Sequence, residues 1–178
     1  MLIAQQKKKD NIAEYILYMW QLEDILRAKK FDISAIKKLL VEPLPVDDSE
    51  KIKIAEWYNQ LIDKMKIQGL NKKGHLSELN DLIIELQYLH ETLLNVLNDS
   101  KYEKLYLSTK LSIDALKIKS GSGNENEIYV CLNGLYGLLL LRLKKQQISD
   151  ETTEAMQLFS KLIAYLAAKY KEVNQPGQ

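Results

Sequence analysis

Two segments of this chain, Ile12–Leu22 and Ile128–Leu141, are apolar almost all the way round a helix. Glu14 and Gln21 are the exceptions in the first; Arg142, Lys144 and Lys145 close the second. Each falls short of the roughly 20 apolar residues needed to span a bilayer. A helix that is apolar on every side must be surrounded by others. The pattern therefore predicts an all-α, multi-helix bundle with both rods central and no membrane span. Lys7-Lys8-Lys9 ahead of the first rod imitates a signal peptide, but Glu14 interrupts the apolar run and no small-residue cleavage site follows.

Breakers are scarce, with 3 prolines and 7 glycines in 178 residues. That scarcity suits long helices. The length suits one domain, expected over residues 1–173 with a frayed tail at 174–178. With 46% hydrophobic and 28% charged residues the balance is that of a folded globule. The single Cys131 cannot pair within the chain, and a reducing cytoplasm is the expected setting.

Periodicity and capping signals predict about six helices plus one short one. The first runs from near Ala4 to Ala28. Asp32 caps the short helix, which stops near Val41 before Pro43 and Pro45. Asp47 to Glu50 has capping-box spacing and opens a helix with Ala55, Tyr58, Leu61, Ile62 and Met65 on one face, closed by Gly69. The next helix, from Leu76 to Leu97, carries an apolar stripe from Leu79 to Val96. Another spans Lys101 to Lys117, with Tyr102, Leu105, Tyr106, Thr109, Ile113 and Leu116 inward. Ser120 to Gly123 is a flexible break. Asn124 to Glu127 repeats the capping spacing before the second rod, on which Gly134 and Gly137 imply a close helix crossing. Ser149 to Glu151 start the last helix, whose core face includes Met156, Phe159, Ile163, Leu166 and Tyr170.

Chemistry-bearing residues are sparse. Glu14, Tyr15, Tyr18 and Trp20 crowd the first rod; they are candidates to line a small-molecule pocket, against the alternative that the rings are core. A carboxylate amid apolar surface needs a partner, and antiparallel packing of the two rods would bring Glu14 to Arg142 as a structural ion pair. Glu23 and Arg27 have ordinary i, i+4 spacing. His75 and His90 lack the paired Glu-x-x-His pattern of a di-metal bundle, so no metal or cofactor is expected. Cys131, among Val130, Leu132 and Leu135, reads as an inert thiol. No phosphate loop is present, since Gly121 and Gly123 follow a helix and no Gly-Lys-Ser or Gly-Lys-Thr succeeds them. Lysine doublets alternate with acids and the net charge is +1, which disfavours a nucleic-acid partner.

The opening Met1-Leu2-Ile3-Ala4-Gln5-Gln6-Lys7-Lys8-Lys9, continued by Asn11-Ile12-Ala13-Glu14-Tyr15 and Tyr18-Met19-Trp20-Gln21-Leu22-Glu23-Asp24, resembles a small Bacteroidetes-type family known as a domain of unknown function. The resemblance implies a cytosolic helical protein and transfers no catalytic residue. The functional expectation is a non-enzymatic interaction or scaffold domain that docks a protein partner or self-associates, marked by an exposed Trp57 or Tyr58. A small-molecule-binding protein or enzyme, with its pocket against the first rod, is the alternative. Nucleic-acid binding comes third.

Overall fold

The computed structural model describes residues 2–121, 123 and 125–174. Among them are eight α-helices and no strand: α1 (Leu2–Asp10), α2 (Ile12–Ala28), α3 (Ile33–Ile36), α4 (Asp48–Ile67), α5 (Ser77–Asn95), α6 (Ser100–Ser120), α7 (Glu127–Leu143) and α8 (Asp150–Asn174). This is the all-α bundle that the apolar periodicity predicts. None of the described helices is long and apolar enough to cross a membrane.

The helix count exceeds the expectation because the first predicted helix, from near Ala4 to Ala28, is two helices. Asn11 interrupts it, its side-chain oxygen accepting the Ala13 N–H at 3.0 Å. A short polar side chain that bonds its own backbone two residues on competes with the helical ladder. The short helix begins where expected, Asp32 accepting the N–H groups of Ser34 and Ala35. It ends in a π turn, Lys37–Val41, just before the two prolines. Asp47 caps α4 by accepting the Glu50 N–H at 2.8 Å.

The far end of α4 is a Schellman motif. Gly69, at φ 69°, lets the Leu70 N–H reach the Met65 carbonyl at 2.8 Å and its own N–H reach Lys66 at 3.0 Å. Lys145 does the same job at the end of α7 with φ 52°, the N–H groups of Lys145 and Gln146 bonding Arg142 and Leu141, each at 3.0 Å. A side chain in that conformation carries a steric cost that glycine avoids. The cap of α7 is Asn126, whose side chain accepts the Tyr129 N–H at 2.6 Å. The predicted box begins at Asn124, a residue outside those described, as are Ser122 and the tail beyond Asn174.

The chain divides into two compact units. The first gathers Glu14–Asn80 with the N-terminal residues up to Lys8. In it α3 and the π turn pack on α4. Ile54, Ala55, Tyr58, Leu61, Ile62 and Met65 form the buried face of α4, all but Ile54 read from the 3.6-residue period. Along α2, Ile16, Met19, Trp20, Leu22, Glu23 and Leu26 are buried.

The second unit comprises Lys9–Ala13 and Asp81 onward. In it α6, α7 and α8 pack on one another. Gly134 sits tightly between α6 and α8: a Cβ there would stand 2.9 Å from Leu116 and 3.0 Å from Phe159. Gly137 has no such neighbour within 4 Å, so the expected crossing accounts for one of the two glycines only. The second rod is also less enclosed than its composition suggests, because Leu141 and Leu143 remain 38% and 66% exposed. Val96, expected on the inward stripe, is exposed, since α5 has already ended at Asn95.

Candidate functional site

The aromatic cluster of α2 is spread over three environments. Glu14 is exposed and pairs with Lys7 at 3.0 Å. Arg142, its expected partner, is exposed at the end of α7 in the other unit. Tyr15 is half-buried, with the Lys8 ammonium 5.6 Å from its ring centre. Tyr18 is also half-buried, lies 6.0 Å from the Lys7 ammonium, and shares a hydrogen bond with Tyr58. Burial pushes all three phenols up, Tyr58 farthest. Trp20 is fully buried. The three cavities described below are lined by other residues.

The arrangement that sequence spacing missed centres on Glu23. Its side chain is wholly buried, and its carboxylate accepts two hydrogen bonds from the loop before α5. The Leu76 N–H donates at 2.9 Å and His75 Nδ1 lies at 2.6 Å from the other oxygen. Arg27 stands 3.9 Å away, bonded to Asp24 at 2.8 Å and to the Gly74 carbonyl at 2.9 Å. The His75 ring stacks on Trp20, centroids 4.3 Å apart. With Nδ1 committed to the carboxylate, the imidazole is fixed in position. Among the described residues, however, no group of three or more His, Cys, Asp or Glu side chains is placed to hold a metal. The cluster ties the α4–α5 loop to α2. One signal was available: Glu23 sits three and four residues from Trp20, Met19, Leu26 and Arg27, on the stripe that begins at Ile16.

A second buried polar cluster lies in the other unit. His90 Nδ1 is 2.7 Å from the Tyr102 hydroxyl, and its Nε2 is 4.0 Å from Glu127. The other Glu127 oxygen takes Lys110 at 3.2 Å. Burial holds His90 below the ordinary histidine range, against the pull of Glu127 and Glu91. Burial also pushes the Cys131 thiol far up and raises Tyr106 to about 12, with Glu127 adding to it. Near neutral pH these groups are therefore an uncharged imidazole, a thiol and phenols. No thiolate nucleophile forms here.

The unusual surface is the outer side of α6. Its inward residues Tyr102, Thr109 and Ile113 are buried. On the opposite side Leu107, Leu111 and Ile118 are 62%, 83% and 82% exposed, with exposed Ala115 among them. The stripe is flanked by Lys110 and Asp114, which form an i, i+4 ion pair. It borders a groove of about 380 Å³ that includes Leu111, Ala115 and Leu116 on α6 with Ala155 and Leu158 on α8. A further cavity of about 320 Å³ lies beside Gly134 and Gly137. In the first unit, a groove of about 580 Å³ runs between the π turn and α4, over Val41, Ile52 and Ala55 and between Lys37 and Lys51. The aromatic mark expected of a docking face is elsewhere: Tyr58 is buried and Trp57 is half-buried.

No curated protein and no solved structure matches the chain. A family model matches residues 1–177, and the chain belongs to that family, described as a domain of unknown function, DUF4924.

Proposed function

We propose that this chain is a non-enzymatic helical interaction domain, cytoplasmic in setting, that self-associates through the outer face of α6. One observation carries the reading. α6 is apolar on two opposite sides, and the chain itself fills only one of them. A helix whose neighbours, here α7 and α8, leave its outer side open needs no apolar residues there, and contiguous exposed apolar surface on a folded protein favours an interaction site. The titratable clusters support the same choice. Glu23 and His75 satisfy each other, and burial keeps His90, Cys131 and the phenols beside them uncharged, so neither cluster supplies an activated group.

Sedimentation equilibrium over a range of concentrations tests the proposal. The wild type is expected to run as a concentration-dependent dimer. Leu111→Lys, at a position 83% exposed, is expected to be monomeric with an unchanged far-ultraviolet circular dichroism spectrum. A wild-type monomer at the highest concentration would refute the reading, as would a Leu111→Lys variant that associates normally.

A further inference from the structure

We infer that the surface met by α6 is α6 of a second copy, laid antiparallel about a two-fold axis near residues 112 and 113. This rests on the self-association proposed above and names the partner surface for it. The apolar stripe reads the same in both directions: Leu107 falls opposite Ile118 of the second copy, and Leu111 opposite Ala115. A centre at residue 112 relates the charges beside the stripe, within about one residue of the centres of the apolar pairs. An antiparallel pair brings Lys110 toward Asp114 of the other copy, and Asp114 toward its Lys110. Both charges lie on one flank of the stripe, so a parallel two-fold pair would place them on opposite sides of the seam and give neither a partner.

The ends agree with the middle. Lys104, exposed on the same face, falls beside the C-terminal end of the opposing α6, the negative end of its helix dipole. A face that binds itself closes after two copies. Insertion of the stripe into the groove between the π turn and α4 would join unlike surfaces and would not use the shared centre of the stripe.

Cysteine cross-linking separates these arrangements, because the natural thiol, Cys131, is fully buried. At 1.5 Å rise per residue, antiparallel pairing centred near 112 leaves the two copies of position 107 about 16 Å apart along the axis. It sets position 107 of one copy level with 118 of the other. Full-length Leu107→Cys and Ile118→Cys proteins, each alone and mixed, are treated with a short bis-thiol reagent at concentrations where sedimentation shows dimer. The expected result is a cross-linked dimer in the mixture and none from either variant alone. Cross-linking of each variant to itself would show parallel pairing and overturn the inference. Absence of cross-linking in all three samples, with dimer present in sedimentation, would place the contact elsewhere and overturn both the inference and the docking face. Monomer throughout for the wild type would overturn self-association itself. Circular dichroism on each variant shows that the helices are intact.

Discussion

Replacing Glu23 with alanine removes the one fully buried carboxylate that joins α2 to the α4–α5 loop. The structure sets the size of the effect. The Leu76 N–H, donated at 2.9 Å, loses its acceptor, and a buried donor left unpaired costs about 1–3 kcal/mol. His75, 2.6 Å from the other carboxylate oxygen, loses the group that orients it; hydrogen bonds to charged groups contribute about 1.5–3 kcal/mol. The removed methylene and carboxyl, wholly buried, also leave a space. Part of this is returned, because a buried carboxylate no longer has to be desolvated. The net loss expected is about 3–5 kcal/mol, in line with breaking a buried polar pair from one side. Glu23→Gln keeps an acceptor for Leu76 and should lose less than half as much. Urea unfolding followed by tryptophan fluorescence gives the total, and hydrogen exchange at the Leu76 amide gives the local part. A Glu23→Ala variant within about 0.5 kcal/mol of wild type, the scatter of ordinary surface substitutions, would refute the account of this cluster.

The two glycines of α7 should respond oppositely. Gly134→Ala must displace Leu116 and Phe159, 2.9 Å and 3.0 Å from the added carbon, and should cost about 1–3 kcal/mol as overpacking. Gly137→Ala meets nothing within 4 Å and should stabilise by up to about 1 kcal/mol through helix propensity; thermal melts of the pair decide it. Lys145→Gly, relieving a side chain at φ 52°, should raise stability by about 1 kcal/mol, read from the urea midpoint. His90, held below its ordinary range by burial, gives a pH signature. Below about 6.5 the unfolded chain takes up a proton that the folded chain refuses, so unfolding binds more protons and stability falls with acid from there down to the lowered folded value. Urea midpoints measured between about pH 7.5 and pH 5 should show this decline, flattened in His90→Gln, and an identical slope in the variant would exclude it.

What the residues revealed in advance follows from the range of each interaction. The faces of α4 and α8 were legible because burial at 3.6-residue spacing is a local pattern. Ala55, Tyr58, Leu61, Ile62 and Met65 are all buried, as are Met156, Phe159, Ile163 and Leu166. The caps at Asp32 and Asp47 were legible for the same reason. The break at Asn11 was not, because one side-chain bond to Ala13 interrupts a run of strong helix formers. Glu23 was hidden by a plausible local partner, Arg27; its bonds go to His75 and Leu76, 52 and 53 residues on. The outer stripe of α6 was hidden by its own inward face. Once Tyr102, Thr109 and Ile113 account for a core side, Leu107, Leu111 and Ile118 look like scattered surface residues until their exposure is seen. Glu14 shows the converse, an acid in an apolar run that lies at the surface beside Lys7.

The most direct test of the central claim is contact between copies, observed on the side chains themselves. In a mixture of protein methyl-labelled only at leucine with protein methyl-labelled only at isoleucine, a leucine–isoleucine nuclear Overhauser effect can arise only between chains. Self-association through α6 predicts cross-peaks joining Leu107 to Ile118, lost in Leu111→Lys. A concentrated sample with no such cross-peak, or with cross-peaks joining Ile52 to leucines of another chain instead, would contradict it.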